Sequence, residues 1–350
     1  MAKLLAGKNQ KSFKEIKKEN MKKSLLIVLV LFCLGHVFAQ ESSEQNDSEP
    51  HWTFTSAVSI QLSPIFEAKQ NAEGNKNQFA PITGINVPVP YAQFNAQYIV
   101  PLDFGDNLVF QGANLLFVAG PTITPVSLDT QLGVIFTPTP ILNFGLAVTA
   151  GTGWAIGESH GIGIYKPLTN EYVQNTPFAT WKYDFIFQTQ FQFDFGFLIP
   201  SKWTHIILSA TEQIYYEAHS GAGKAEPWEW MGSPDYVNGV LQAGNVLLGY
   251  TIPDTSLRLI GIGLTWQSHL SGSDYGIYEA NYNGSFTTLA LALQSVISLS
   301  EKDLLSFGLS LSSRRAFLEA PGTSPACITK TASGREWCFS GLSVQWIHTF

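Results

Sequence analysis

His205 and Ser209 are the pair whose types could do covalent chemistry, since a His that takes the proton of a Ser hydroxyl makes a nucleophile. Their spacing argues against it. Residues i and i+4 of an extended strand lie about 13 Å apart, beyond hydrogen-bond reach. His160, His219 and His269 fall near loop-like stretches and read as solvated, and no metal-ligand spacing or phosphate loop occurs. No catalytic residue, metal or cofactor is therefore expected. The chemistry that does recur is neutral hydrogen bonding by amides and hydroxyls. Gln93, Asn95, Gln97, Gln131, Gln188, Gln190, Gln192, Gln213, Thr265, Gln267 and Gln294 are joined by few charges, at Asp129, Asp184, Asp194 and Arg314.

These residues alternate with apolar ones. From Tyr183 to Phe197 every second residue is Tyr183, Phe185, Phe187, Thr189, Phe191, Phe193, Phe195 or Phe197, and those between include Asp184, Gln188, Gln190, Gln192 and Asp194. A helix would spread the aromatics around its circumference, whereas a strand puts them on one face and the amides on the other. Lipid outside and water inside would satisfy both faces, and a tilted strand of about 9–11 residues crosses a membrane. A soluble barrel or sandwich is the rival reading of this one stretch.

Only 13% of the 350 residues are charged while 45% are hydrophobic. Beyond the N-terminus no apolar run is long enough for a helical span, which leaves a closed barrel as the way to cross lipid. The formal net charge of -7, with Lys crowded at the N-terminus, gives no basic footprint for nucleic acid. Met21-Lys22-Lys23, the apolar Leu25 to Leu34 and Val37-Phe38-Ala39 read as a secretory signal cleaved after Ala39, with Met21 the preferred start. Phe32 stands where a lipoprotein needs a small residue before Cys33. Residues 1–39 are thus an extension plus signal, 40–51 a polar periplasmic leader and 52–350 the barrel. Cys327 and Cys338, close in sequence in an exported chain, are expected to form a disulfide.

Along the chain, alternating segments are read near residues 52–62, 93–100, 108–118, 128–136, 142–154, 183–197, 203–216, 240–252, 260–266, 289–297, 305–311 and 342–346. Asn114, Glu212 and Asn245 break the apolar phase of their segments. Connections alternate long and short, including a long one at Glu67 to Pro90 and another at Gly120 to Val126. This predicts an all-β fold: a transmembrane antiparallel up-and-down β-barrel of about 12 strands with short periplasmic turns and long extracellular loops.

The final run from Leu342 to Phe350, with Trp346 and a terminal Phe350, resembles the C-terminal assembly signal of bacterial outer-membrane β-barrel proteins; His348 stands where Tyr is common. That resemblance implies outer-membrane lipid and the barrel-assembly machinery as partners. The expected inner face is Gln93, Asn95, Gln97, Asp129, Gln131, Asp184, Gln188, Gln190, Gln192, Asp194, Thr265, Gln267 and Gln294, and the expected lipid face includes Phe185, Phe187, Phe191, Phe193 and Phe195. Few fixed charges suit passive passage of small polar or neutral solutes, and inner-face Gly and Ala are expected to leave the lumen partly open. Two other classes stay open. One is a non-conducting barrel whose aromatic loops, with Trp228, Trp230, Tyr275, Tyr278 and Tyr282, bind surface ligands. The other is an outer-membrane protease or phospholipase completed across strands.

Overall fold

The computed structural model describes residues 49–66, 78–80, 82–85, 88–105, 110, 112–157, 159–318 and 326–350. The signal, its cleavage site, most of the leader and most of the Glu67 to Pro90 loop lie outside them. Twelve antiparallel strands run in chain order: β1 His51–Leu62, β2 Val89–Pro101, β3 Asn114–Ile123, β4 Ser127–Thr139, β5 Leu142–Gly153, β6 Lys182–Asp194, β7 Ile206–His219, β8 Gly239–Thr251, β9 Leu257–His269, β10 Thr288–Ser298, β11 Asp303–Phe317 and β12 Ala332–Thr349. Each pairs with the next, and β1 pairs with β12 from Thr55↔Thr349 to Leu62↔Leu342, so the sheet closes into a barrel. Closure leaves no unpaired edge along the shared height of the wall.

Period-two patterning decides which side chains go where, because a one-residue slip would turn every side chain to the other face. Phe185, Phe187, Phe191, Leu146, Val148, Ile262, Leu293, Leu309 and Val344 are exposed on the outside, while Ser209, Thr265, Gln294, Ser306 and Ser343, one register step away, are buried inside. That inversion of the usual soluble arrangement, apolar out and polar in, is the architecture of outer-membrane barrels.

Several local expectations are corrected. Alternation suggests a third strand over 108–118, but β3 begins at Asn114 and runs to Ile123. Thr124 then makes a tight turn, its Oγ1 accepting from Val126 N at 3.2 Å and Ser127 N at 3.0 Å, so the expected long connection at Gly120 to Val126 is short. β6 ends at Asp194, short of the Phe197 to which the alternation extends. Asp194 Oδ1 accepts from Gly196 N at 2.7 Å and caps a 3-10 turn over Phe195–Phe197, so Phe195 leaves the strand, though it stays exposed and meets Phe193 edge-on at 5.2 Å between ring centres. Asn245 is no blemish on the outer face: it points inward and is buried, and the outward neighbour is Gly244.

Candidate functional site: a polar wall inside a capped barrel

The inward residues form two unlike groups. One follows β6 and its neighbours. Gln213 Nε2 donates to Gln188 Oε1 at 2.9 Å, Asn143 Nδ2 to Gln190 Oε1 at 3.3 Å and Gln190 Nε2 to Ser209 Oγ at 3.3 Å, a ladder of amides spanning β5, β6 and β7. At its periplasmic end Asp194 Oδ2 meets His205 Nδ1 at 2.7 Å. The other group is dry, although the same strands also carry inward Asn245, Thr265 and Gln294. Ile207, Leu247, Leu259 and Val296, with Leu304 against them, pack together from five successive strands near the periplasmic end. Gly249 and Gly261 make room: a Cβ on Gly249 would lie 3.0 Å from Leu259, and one on Gly261 3.1 Å from Leu247.

The extracellular end of the polar wall gathers charge. Lys182 bonds Asp184 and lies 3.4 Å from Glu217, and Thr149 Oγ1 donates to Asp184 Oδ2 at 2.6 Å. Asp129 stands on the adjacent strand, opposite Gly151. A Cβ on Gly151 would be 2.7 Å from both Asp129 Oδ2 and the Trp230 ring, which also lies 5.9 Å from the Lys182 ammonium. The Trp230 indole therefore occupies the space that this glycine leaves.

Trp230 comes from a cap that the loops build. Strand Ile162–Lys166 pairs with Glu171–Gln174 and with Trp228–Trp230, which pairs with Ser233–Tyr236. Ile162, Ile164, Trp228 and Trp230 form one small core, and a second joins Tyr165, Tyr172, Val237, Tyr275, Tyr282, Ala326, Cys327 and Ile328 from four loops. Asp235 ties those loops together. Its carboxylate accepts from Tyr172 Oη at 2.8 Å, Tyr282 Oη at 3.1 Å and Ile328 N at 3.3 Å, while its own N–H donates to Tyr172 Oη at 2.7 Å. Burial, and then the adjacent Asp235 charge, hold the Tyr172 hydroxyl well above the usual phenol range, so it stays a donor.

Gln97, Asp184, Gln190, Thr265 and Gln294 are buried, and Gln93, Asn95, Asp129, Gln131, Gln188, Gln192, Asp194 and Gln267 are half-buried. The inner glycines do not leave open width: Gln188 packs at 3.0 Å from where a Gly145 Cβ would be, and Trp230 fills Gly151. His219 and His269 are not solvated. His219 is buried against Trp228 with its Nε2 2.9 Å from Asn175 Nδ2, and His269 Nδ1 sits 3.0 Å from Asp274 Oδ2. His160 Nδ1 lies 3.3 Å from Glu229 in the cap. His205 and Ser209 have separate partners, Asp194 and Gln190.

Cys327 and Cys338 are not joined. Cys327 belongs to the tyrosine core of the cap, whereas Cys338 is buried inside β12 beside Ala80, its Sγ 3.2 Å from Ser312 O, so the strand itself carries the two sulfurs apart. Trp346 faces outward, its Nε1 donating to Asp303 at 3.1 Å, and Phe350 N donates to Phe54 O at 3.0 Å. Lys182 and Glu217 were missed in the sequence, and Trp230, expected as a surface-loop aromatic, instead folds back onto Gly151. The first two lie in phase with Asp184 and Gln213 and could have been found by extending those strands; Trp230 carries no such signal.

No protein-family model matches the chain, and no curated protein matches it in sequence. Among solved structures it is similar to an outer-membrane channel from Pseudomonas putida F1, at 13% identity and a TM-score of 0.41 over 88% of this chain and 99% of that one. It is also similar to the KdgM porin in complex with disordered oligogalacturonate, at 8% identity and a TM-score of 0.35 over 84% and 99%. A third is LpxR from Salmonella typhimurium, at 9% identity and a TM-score of 0.35 over 84% and 99%. These are likenesses of fold. The class, an outer-membrane β-barrel, rests on the closed twelve-stranded wall and its apolar exterior.

Proposed function

We propose that the protein is an outer-membrane channel for passive diffusion of small polar or neutral solutes, exported with its signal removed after Ala39 and inserted by the barrel-assembly machinery through the Trp346 to Phe350 end. One observation carries the reading: the inward hydrogen-bonding side chains along β6, Asp184 and then, past the apolar Ile186, Gln188, Gln190, Gln192 and Asp194, extend from the cap to the periplasmic rim. Donors and acceptors that bond one another can exchange those partners for a solute, whereas the dry Leu247/Leu259 patch offers none. In this reading solutes pass along a slot beside β6 rather than an axial pore, with Trp230 at its mouth.

Liposomes carrying the protein should swell in small neutral solutes, and Gln192→Trp, in the slot, should slow the swelling while the outward Phe191→Trp leaves it unchanged. Correctly folded protein whose liposomes never swell would reject the channel. The cap, with two cores of its own, favours the second reading, a non-conducting barrel that displays a folded surface. That reading predicts no swelling by any variant.

A further inference from the structure

One ammonium is set among three carboxylates where the polar wall meets the cap. Asp184 and Glu217 face each other directly across β6 and β7, an arrangement that repels unless positive charge lies between them. Lys182 supplies it, bonding Asp184 and lying 3.4 Å from Glu217, with the Trp230 ring 5.9 Å away. One side chain leaves the cluster short of positive charge. Asp184 Oδ1 and Glu217 Oε1 are both buried and make no hydrogen bond. Asp129, in the same cross-strand row as Lys182, puts its Oδ2 2.7 Å from where a Gly151 Cβ would be, so its carboxylate leans over the glycine that separates the two residues. Arg314, farther round the wall, bonds Glu336 and so adds no net charge.

Carboxylate oxygens held away from water without a partner are costly, and a cation that reaches them removes the cost. We infer that this cluster binds a second, diffusible monovalent cation, a potassium ion or the ammonium group of a small amine, and that the slot beside β6 passes cations in preference to anions. Lys182 shows the mode of recognition: an ammonium on a carboxylate with an indole beside it, surroundings that suit a free ammonium equally. The half-buried Asp129 keeps the cluster in contact with the interior. Acidic side chains at a constriction select cations in channels, and Trp230 makes the constriction here. The inference rests on the channel proposed above and names cations as the polar solutes it favours.

The test is the reversal potential of the full-length mature protein in planar bilayers under a potassium chloride gradient, repeated with ethylammonium chloride. Only inserted, folded barrels contribute to that reading. Wild type should pass potassium and ethylammonium several-fold better than chloride, and Asp129→Asn and Glu217→Gln should each move the reversal potential clearly toward that of a non-selective pore. Asp254→Asn, which removes a charge from an exposed periplasmic turn, should leave it unchanged, so that overall charge is separated from the cluster. Wild-type current without a cation preference, or a preference that both cluster variants retain in full, would overturn the inference and leave the channel standing. Inserted protein that passes no current would reject the channel and this inference with it.

Discussion

Arginine placed along the outer face of β6 should report the depth of each position. Strands rise about 3.4 Å per residue and tilt about 40° in such barrels, so each residue advances about 2.6 Å across the membrane. Phe187 lies five residues from Lys182 and seven from Asp194, near the middle of the strand, and Phe193 is six residues nearer the periplasmic rim. Six residues amount to about 16 Å, more than half of an apolar band about 25 Å tall. Phe187→Arg should therefore cost about 2–4 kcal/mol and Phe193→Arg about 0–1 kcal/mol. Gln192→Arg, which turns to the half-buried inner face, should also be mild. Guanidinium titration in lipid vesicles, followed by tryptophan fluorescence and checked for reversibility, measures all three. Equal losses at Phe187 and Phe193, or a larger loss at Gln192 than at Phe187, would refute the placement of these faces relative to the bilayer.

Other outcomes follow from the interior and the cap. Leu259→Ala removes a fully buried side chain from the dry patch and should cost about 2–5 kcal/mol in the same titration. Asp235→Ala strips three donors of their shared acceptor, so the cap should become several-fold more sensitive to trypsin while heat-resistant barrel migration in gels is kept. Near pH ~11, where exposed phenols ionise, Tyr172→Phe and wild type should show the same tyrosinate absorbance, because Tyr172 is held protonated; a loss of one tyrosinate in the variant would contradict this. The mature protein should give no thiol to alkylation when folded and two when unfolded without reductant, and finding none after unfolding would restore the disulfide.

The barrel was legible because its signal is repeated: alternation in segments such as 183–197 and 305–311 can be met only by strands with unlike faces. Errors gathered where one residue breaks the pattern. Asp194 capping Gly196 ended β6 early, and Thr124 tightened a connection that composition made look long. The state of the lumen was not legible. Inner glycines at 145, 151, 249 and 261 suggest empty width, yet side chains from neighbouring strands and from a distant loop fill it, and no local pattern announces a Trp230 folded back onto Gly151. The buried histidines are the same case: His219 and His269 stand at strand ends that the cap covers.

The most direct test of a channel narrowed by its cap is single-channel current in planar bilayers, comparing wild type with Trp230→Ala, both verified as inserted and folded. The slot beside β6 predicts small, discrete steps for wild type and clearly larger steps once the indole is removed from Gly151 and Lys182. Folded protein that passes no current in either form would contradict it.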